Sequence, residues 1–100
     1  MQIENYIKAG KIAAEVREIA RKKDWVGKTV YEICEEIENK IQERGAKCAF
    51  PVNVSINEIA AHYTAEPNDP TIISDSDLVK IDLGAQIDGY IADTAVTVCH

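Results

Sequence analysis

Leu78-Val79-Lys80-Ile81-Asp82-Leu83-Gly84-Ala85-Gln86-Ile87-Asp88-Gly89-Tyr90-Ile91-Ala92-Asp93-Thr94-Ala95-Val96-Thr97-Val98-Cys99 is the stretch that decides the fold. Leu78 to Leu83 reads as a strand, and Tyr90 to Cys99, rich in β-branched residues, reads as a longer one. Gly84 to Gly89 between them reads as a tight connection, with Asp88-Gly89 as its turn dipeptide. An antiparallel hairpin is expected.

Asp82 and Asp93 fall on the two strands of that hairpin. Faces alternate with a period of two along a strand, and opposed residues share a face. A two-residue loop at Ile87-Asp88 sets Asp82 directly across from Asp93; a loop at Asp88-Gly89 sets them diagonal, still on one face. Directly opposed Cβ atoms lie about 4.5–5.5 Å apart. Two carboxylates that close repel unless one is protonated or a cation lies between them. Asp93 shares its face with Ile91 and Ala95, which reads as an inward face. A buried carboxylate pair without a basic partner points to a divalent metal, and two ions could be bridged at about 3.5–4 Å. The plainer alternative is a pair of solvated strand charges. Two carboxylates cannot complete a metal site, so further ligands are expected beyond His100.

Upstream, residues 2–23 place Ile3, Tyr6, Ile7, Ile12, Val16, Ile19 and Ala20 at helical spacing. The Arg21-Lys22-Lys23 triplet suits the C-terminus of that helix better than a nucleic-acid patch. Thr29-Val30-Tyr31-Glu32 fits a capping box for a second helix with one stripe of Val30, Ile33, Cys34, Ile37 and Ile41, stopped by Gly45. Amphipathic helices of this kind are expected to lie on a sheet. Lys47 to Val52, interrupted by Pro51, suits a strand end or sheet edge. Residues 52–63 are apolar-rich and 64–77 read as loop. Gly27-Lys28-Thr29 lacks the glycine and preceding strand of a phosphate loop. Asp75-Ser76-Asp77 lacks the glycine and closing glutamate of a calcium loop.

The whole chain of 100 residues is at most one domain, and 46% hydrophobic with 28% charged residues excludes disorder. No apolar run nears the ~18 residues of a membrane span. The start, Met1-Gln2-Ile3-Glu4-Asn5, lacks the features of a signal peptide, so a cytoplasmic protein with no membrane partner is expected. Cys34, Cys48 and Cys99 match neither a disulfide framework nor a zinc pattern and read as free thiols. Residues 1–50 hold ten Lys/Arg against nine Asp/Glu, whereas residues 51–100 hold one lysine against eight acids. That acidic half disfavours a nucleic-acid partner, which needs a basic footprint. His62, among small and apolar neighbours, reads as a core histidine or as a donor to a substrate carbonyl or leaving nitrogen. Phe50 alone reads as core. The stop at Val98-Cys99-His100, inside a β-run, reads as a truncation.

Three segments resemble type 2 methionine aminopeptidases, the archaeal members most: Cys48-Ala49-Phe50-Pro51-Val52-Asn53-Val54-Ser55-Ile56-Asn57-Glu58-Ile59-Ala60-Ala61-His62-Tyr63-Thr64, Lys80-Ile81-Asp82-Leu83-Gly84, and Asp88-Gly89-Tyr90-Ile91-Ala92-Asp93-Thr94-Ala95-Val96-Thr97-Val98. The Ala-Ala-His-Tyr-Thr run is the part specific to type 2. The resemblance implies an α/β (α+β) fold, the N-terminal half of a pita-bread domain, with helices on a curved, mainly antiparallel sheet; residues 1–100 would be a partial catalytic domain. It puts Asp82 and Asp93 in the two metal-ligating aspartate positions, His62 in the catalytic position that contacts substrate, and Phe50 in the pocket for the methionine side chain. The remaining ligands, a histidine and two glutamates, belong to the second half of the family fold, and neither Glu58 nor Glu66 stands in for them. The implied cofactor is two divalent metal ions, cobalt, manganese, iron or zinc. The implied reaction is hydrolytic removal of methionine from nascent polypeptide N-termini, near the ribosome, by a monomeric complete enzyme, with the 100-residue fragment inactive alone. The alternatives are a non-catalytic pita-bread binding module and another pita-bread peptidase, such as a proline-specific one.

Overall fold

The computed structural model describes residues 2–57 and 71–99, the side chain of Gln2 excepted. Helix α1 spans Gln2–Lys22 and α2 Val30–Glu43; the strands are β1 Lys47–Cys48, β2 Asn53–Ile56, β3 Leu78–Ile87 and β4 Tyr90–Cys99. β3 is the centre of an antiparallel sheet. β4 pairs with it along its whole length, while β1 and β2 follow one another along its other edge.

The hairpin closes at Ile87 and Tyr90. Asp88 and Gly89, at φ 50° and 86°, supply the two positive φ angles that a tight two-residue hairpin turn requires. The connection is therefore shorter than the Gly84–Gly89 expected from sequence. Ala85 and Ile87 continue the apolar alternation, so β3 runs on to the turn.

Val79, Ile81, Leu83 and Ala85 of β3, with Val96 and Val98 of β4, are buried on one face. α1 lies across β4 and β3 on that face, and α2 against β1 and β2. The buried stripe of α1 is Ala9, Ile12, Ala13, Val16 and Ala20. Its alanines let the helix approach the sheet closely. Ile3, Tyr6 and Ile7, expected on the same stripe, are exposed. They sit where the helix reaches the hairpin tip: the Tyr6 ring lies 5.9 Å from that of Tyr90, and Asn5 Nδ2 donates to Asp88 Oδ2 at 3.4 Å.

At the other end of α1, Trp25 is fully buried and its indole N–H donates to the Ala20 carbonyl at 3.0 Å. That bond satisfies one of the acceptors a helix C-terminus leaves open. Lys23 pairs with Glu36 and sits 5.1 Å from the centroid of the Trp25 ring, and Arg21 pairs with Glu18. Two members of the basic triplet are thus held by acids of the helices themselves.

α2 begins with the expected capping box. The Glu32 N–H donates to Thr29 Oγ1 at 3.0 Å, and the Thr29 N–H donates to Glu32 Oε1 at 2.9 Å. Its buried residues are Val30, Ile33, Cys34, Ile37 and Ile41, the stripe read from sequence. The bond from the Thr29 backbone holds the Glu32 carboxyl below its ordinary pKa. A lowered carboxyl contributes stability that is complete above the ordinary value and is lost as pH falls through the lowered one. Thr29→Ala should lower stability at neutral pH by about 1 kcal/mol, read from denaturant unfolding; an unchanged midpoint would show that the cap carries no stability.

The described residues that flank positions 58–70 are held by backbone hydrogen bonds. Asn57, at φ 57°, donates its N–H to the Leu78 carbonyl at 2.7 Å, and its side chain accepts the Leu78 N–H at 2.9 Å. Past the segment, the Val30 N–H donates to the Thr71 carbonyl at 3.1 Å and the Ile73 N–H to that of Lys28 at 2.9 Å. The Asp75-Ser76-Asp77 run is a turn, in which the Ser74 N–H donates to Asp77 Oδ2 at 2.7 Å.

Candidate active site

The even-numbered residues of β3 and the odd-numbered residues of β4 point away from the helices. Asp82 is opposite Ala95, and Asp93 is opposite Gly84. The aspartates are therefore diagonal neighbours on one face, the second of the two registers compatible with the sequence. Diagonal positions in an antiparallel pair are about 7–8 Å apart. The face is open rather than inward: Asp93 and Ile91 are exposed and Asp82 is half-buried. The reason is that α1 and α2 cover the opposite face, to which Val96 and Val98 turn. Lys80 stands on the open face beside Asp82, across from Thr97. Among the described residues, neither it nor any other basic group forms an ion pair with Asp82 or Asp93.

Phe50 reaches this face through an irregularity in the edge. Cys48 pairs with Ala85 and Asn53 with Asp82. Residues 49–52 thus span only Leu83 and Gly84 of β3, and the surplus residues bulge outward. Ala49 still donates its N–H to the Gly84 carbonyl at 3.0 Å. The Phe50 ring lies where a Gly84 side chain would be: a Cβ on Gly84 would meet Phe50 Cε2 at 2.6 Å and the Ala49 Cβ at 3.1 Å. Glycine is required here because the ring approaches the backbone so closely.

Asn53 is the neighbour that sequence reasoning missed. It faces Asp82 across β2 and β3, so Asp82 lies between Asn53 and Ala95. Its place depends on the bulge, and no signal in the sequence fixes the number of surplus residues. Phe50, Asn53, Asp82, Asp93, Thr94 and Ala95 line an open depression of about 410 Å³. The Thr94 hydroxyl turns toward the helices and accepts from Arg17 Nη1 at 3.3 Å. His62 lies outside the described residues, as do Glu58 and Glu66.

Two carboxylates on one face without a cationic partner are the donor chemistry that a hard or borderline divalent ion takes. They fit as part of such a site. No group of three or more His, Cys, Asp or Glu suited to a metal occurs among the described residues, so further donors are needed. No helix is long and apolar enough to cross a membrane, among the described residues.

Residues 4–100 match metallopeptidase family M24. A methionine aminopeptidase of Methanocaldococcus jannaschii is 56% identical over 98% of this chain, which spans 34% of that relative's length. The match is to the N-terminal part of these longer archaeal proteins. The methionine aminopeptidase structure from Thermotoga maritima superposes with a TM-score of 0.83 at 28% identity, over 98% of this chain and 42% of its own. Prolidase from Pyrococcus furiosus gives 0.84 at 30% identity, over 98% and 29%. The two helices on an antiparallel sheet are the pita-bread architecture of these neighbours. Over nearly all of its length, this chain belongs to metallopeptidase family M24.

Proposed function

We propose that the complete protein removes the N-terminal methionine from nascent polypeptides by metal-dependent hydrolysis, and that residues 1–100 are the first part of its pita-bread catalytic domain. The observation that carries this reading is the meeting of Asp82, Asp93 and the Phe50 ring at one open depression of the sheet. The identity of 56% to a methionine aminopeptidase of Methanocaldococcus jannaschii, over 98% of this chain, supports methionine as the residue removed.

Asp82 and Asp93 would hold the metal, as two divalent ions drawn from cobalt, manganese, iron or zinc. Metal bound there supplies a water of lowered pKa and a Lewis acid for the scissile carbonyl. Phe50 offers an apolar wall to the methionine side chain, whose thioether gains about 0.3–1.5 kcal/mol against an aromatic ring. The resemblance assigns His62 to the reacting end of the substrate, where it would hydrogen-bond the oxygen or nitrogen that changes charge. A monomeric complete enzyme in the cytoplasm, close to the ribosome that supplies its substrates, fits this role.

The test is the complete protein with a Met-Gly peptide. Methionine release should stop on chelation and return with added divalent metal. Cleavage of Xaa-Pro peptides in its place would replace the reading with a proline-specific peptidase. RNA binding with a steep salt dependence and no hydrolysis would replace it with a binding module. The 100-residue chain alone should release no methionine, because two carboxylates leave the metal under-coordinated. Metal-dependent release by that chain would overturn this.

A further inference from the structure

The bulge that delivers Phe50 is tied to α2 at both ends, and one residue of the helix serves both ties. At its far end, the Val52 N–H donates to Glu38 Oε2 at 3.2 Å. At its near end, the Cys48 thiol points at the Glu38 carbonyl at 3.9 Å. Cys34 Sγ adds a bond to the Val52 carbonyl at 3.4 Å. The Val52 side chain itself is core, at 1% exposure. A bulge removes backbone groups from the ladder, and a buried backbone N–H must find another acceptor. Glu38 is that acceptor for Val52. It projects from a helix whose stripe is fully packed, so it is a fixed point rather than a floppy surface charge.

We propose that Glu38 is a positioning residue for the substrate pocket. By holding Val52 it sets the height of the 49–52 bulge, and so how far the Phe50 ring reaches over Gly84 toward Asp93. Pocket width for the first side chain of the substrate follows from that reach. The inference rests on Phe50 being a wall of the methionine pocket. Glu38 touches no substrate; it acts through Val52 and Phe50.

Glu38→Ala removes the acceptor, Glu38→Gln keeps an oxygen at nearly the same place, and Glu38→Asp draws it back by one methylene. All three are made in the complete protein. Backbone hydrogen exchange at Val52 and kcat/KM for peptides beginning with Met or Leu are measured. Glu38→Ala should speed Val52 exchange by at least about tenfold, the loss expected for one charge-assisted bond. It should also cut the preference for Met over Leu by roughly tenfold, the scale on which small misfits in an apolar pocket discriminate. Glu38→Gln, which keeps the bond without its charge, should stay closer to the wild type than Glu38→Ala in both. If Glu38→Ala fails to fold, Glu38→Asp should move both readouts in the same direction by less.

Unchanged exchange at Val52 would overturn the proposal. So would faster exchange and a lower Tm with the Met preference intact, which is what a merely structural role produces. If the wild-type protein releases no methionine, it is the activity reading that has failed. Positioning is then decided by crystal structures of the variants. A Phe50 ring displaced from Gly84 in Glu38→Ala but not in Glu38→Gln sustains it, and a ring still seated on Gly84 in Glu38→Ala overturns it.

Discussion

Asp82→Asn in the complete protein should abolish methionine release and metal retention together while leaving the fold intact. Asparagine keeps the shape and one carbonyl oxygen of aspartate and loses the charge. Because no basic group among the described residues is paired with Asp82, the change breaks no ion pair. Its ladder neighbours, Asn53 and Ala95, are uncharged. Compared metal-free, the variant and the wild type should therefore agree in stability within about 0.5 kcal/mol, the usual range for substitutions away from the core, and only the wild type should gain stability on adding metal. The rate should fall by more than about a hundredfold, since loss of an outer-shell partner alone costs 10–100-fold in metal affinity or activity. Calorimetric titration with divalent metal and a Met-Gly release assay read the two effects. A variant that keeps the wild-type rate would remove Asp82 from the site.

Gly84→Ala should damage the pocket and the fold at once. The added methyl would stand 2.6 Å from Phe50 Cε2 and 3.1 Å from the Ala49 Cβ. The ring cannot retreat without dragging the bulge, whose Ala49 N–H is bonded to the Gly84 carbonyl. Overpacking of this kind costs about 1–3 kcal/mol. Thermal or denaturant unfolding should show that loss, and kcat/KM for Met-Gly should fall by more than about tenfold as the ring leaves its place. Adding Phe50→Ala to Gly84→Ala should return much of the stability without returning the rate. Wild-type stability in the single variant would mean that the ring is not seated on Gly84.

Much of the fold is legible in the sequence because its local signals agree with one another. Thr29 and Glu32 are three residues apart, and the capping box they form needs nothing from the rest of the chain. The Asp88-Gly89 dipeptide likewise carries its own turn, and with it the register that brings Asp82 and Asp93 to one face. What was not legible depends on distant parts of the chain. Ile3, Tyr6 and Ile7 satisfy helical periodicity as well as Ile12 does, yet only the length of the hairpin under α1 decides which of them are covered. Which face of the hairpin is open depends on the face that α1 and α2 choose. Trp25 gives no periodic signal and becomes a core anchor through one bond to the end of α1. The placement of Phe50 and Asn53 depends on a bulge whose backbone is satisfied by α2, a contact between segments that periodicity alone cannot see.

The aspartates also guard the hairpin against folding wrongly. Along β4, and along β3 as far as Leu83, residues of the helix-covered face alternate with more exposed residues of the open face; Gly84 is buried under the Phe50 ring. A slip of one residue in pairing sends every side chain of a strand to the other face. A misregistered β3 would drive Asp82 and Lys80 into the apolar layer under the helices and leave Ile81 and Leu83 in water. A misregistered β4 would do the same with Asp93. Burying an uncompensated carboxylate costs several kcal/mol even after relaxation, a large share of the 5–15 kcal/mol that holds a typical domain folded. The charges placed where a cation would sit thus also make the alternative pairings of this hairpin prohibitively unstable.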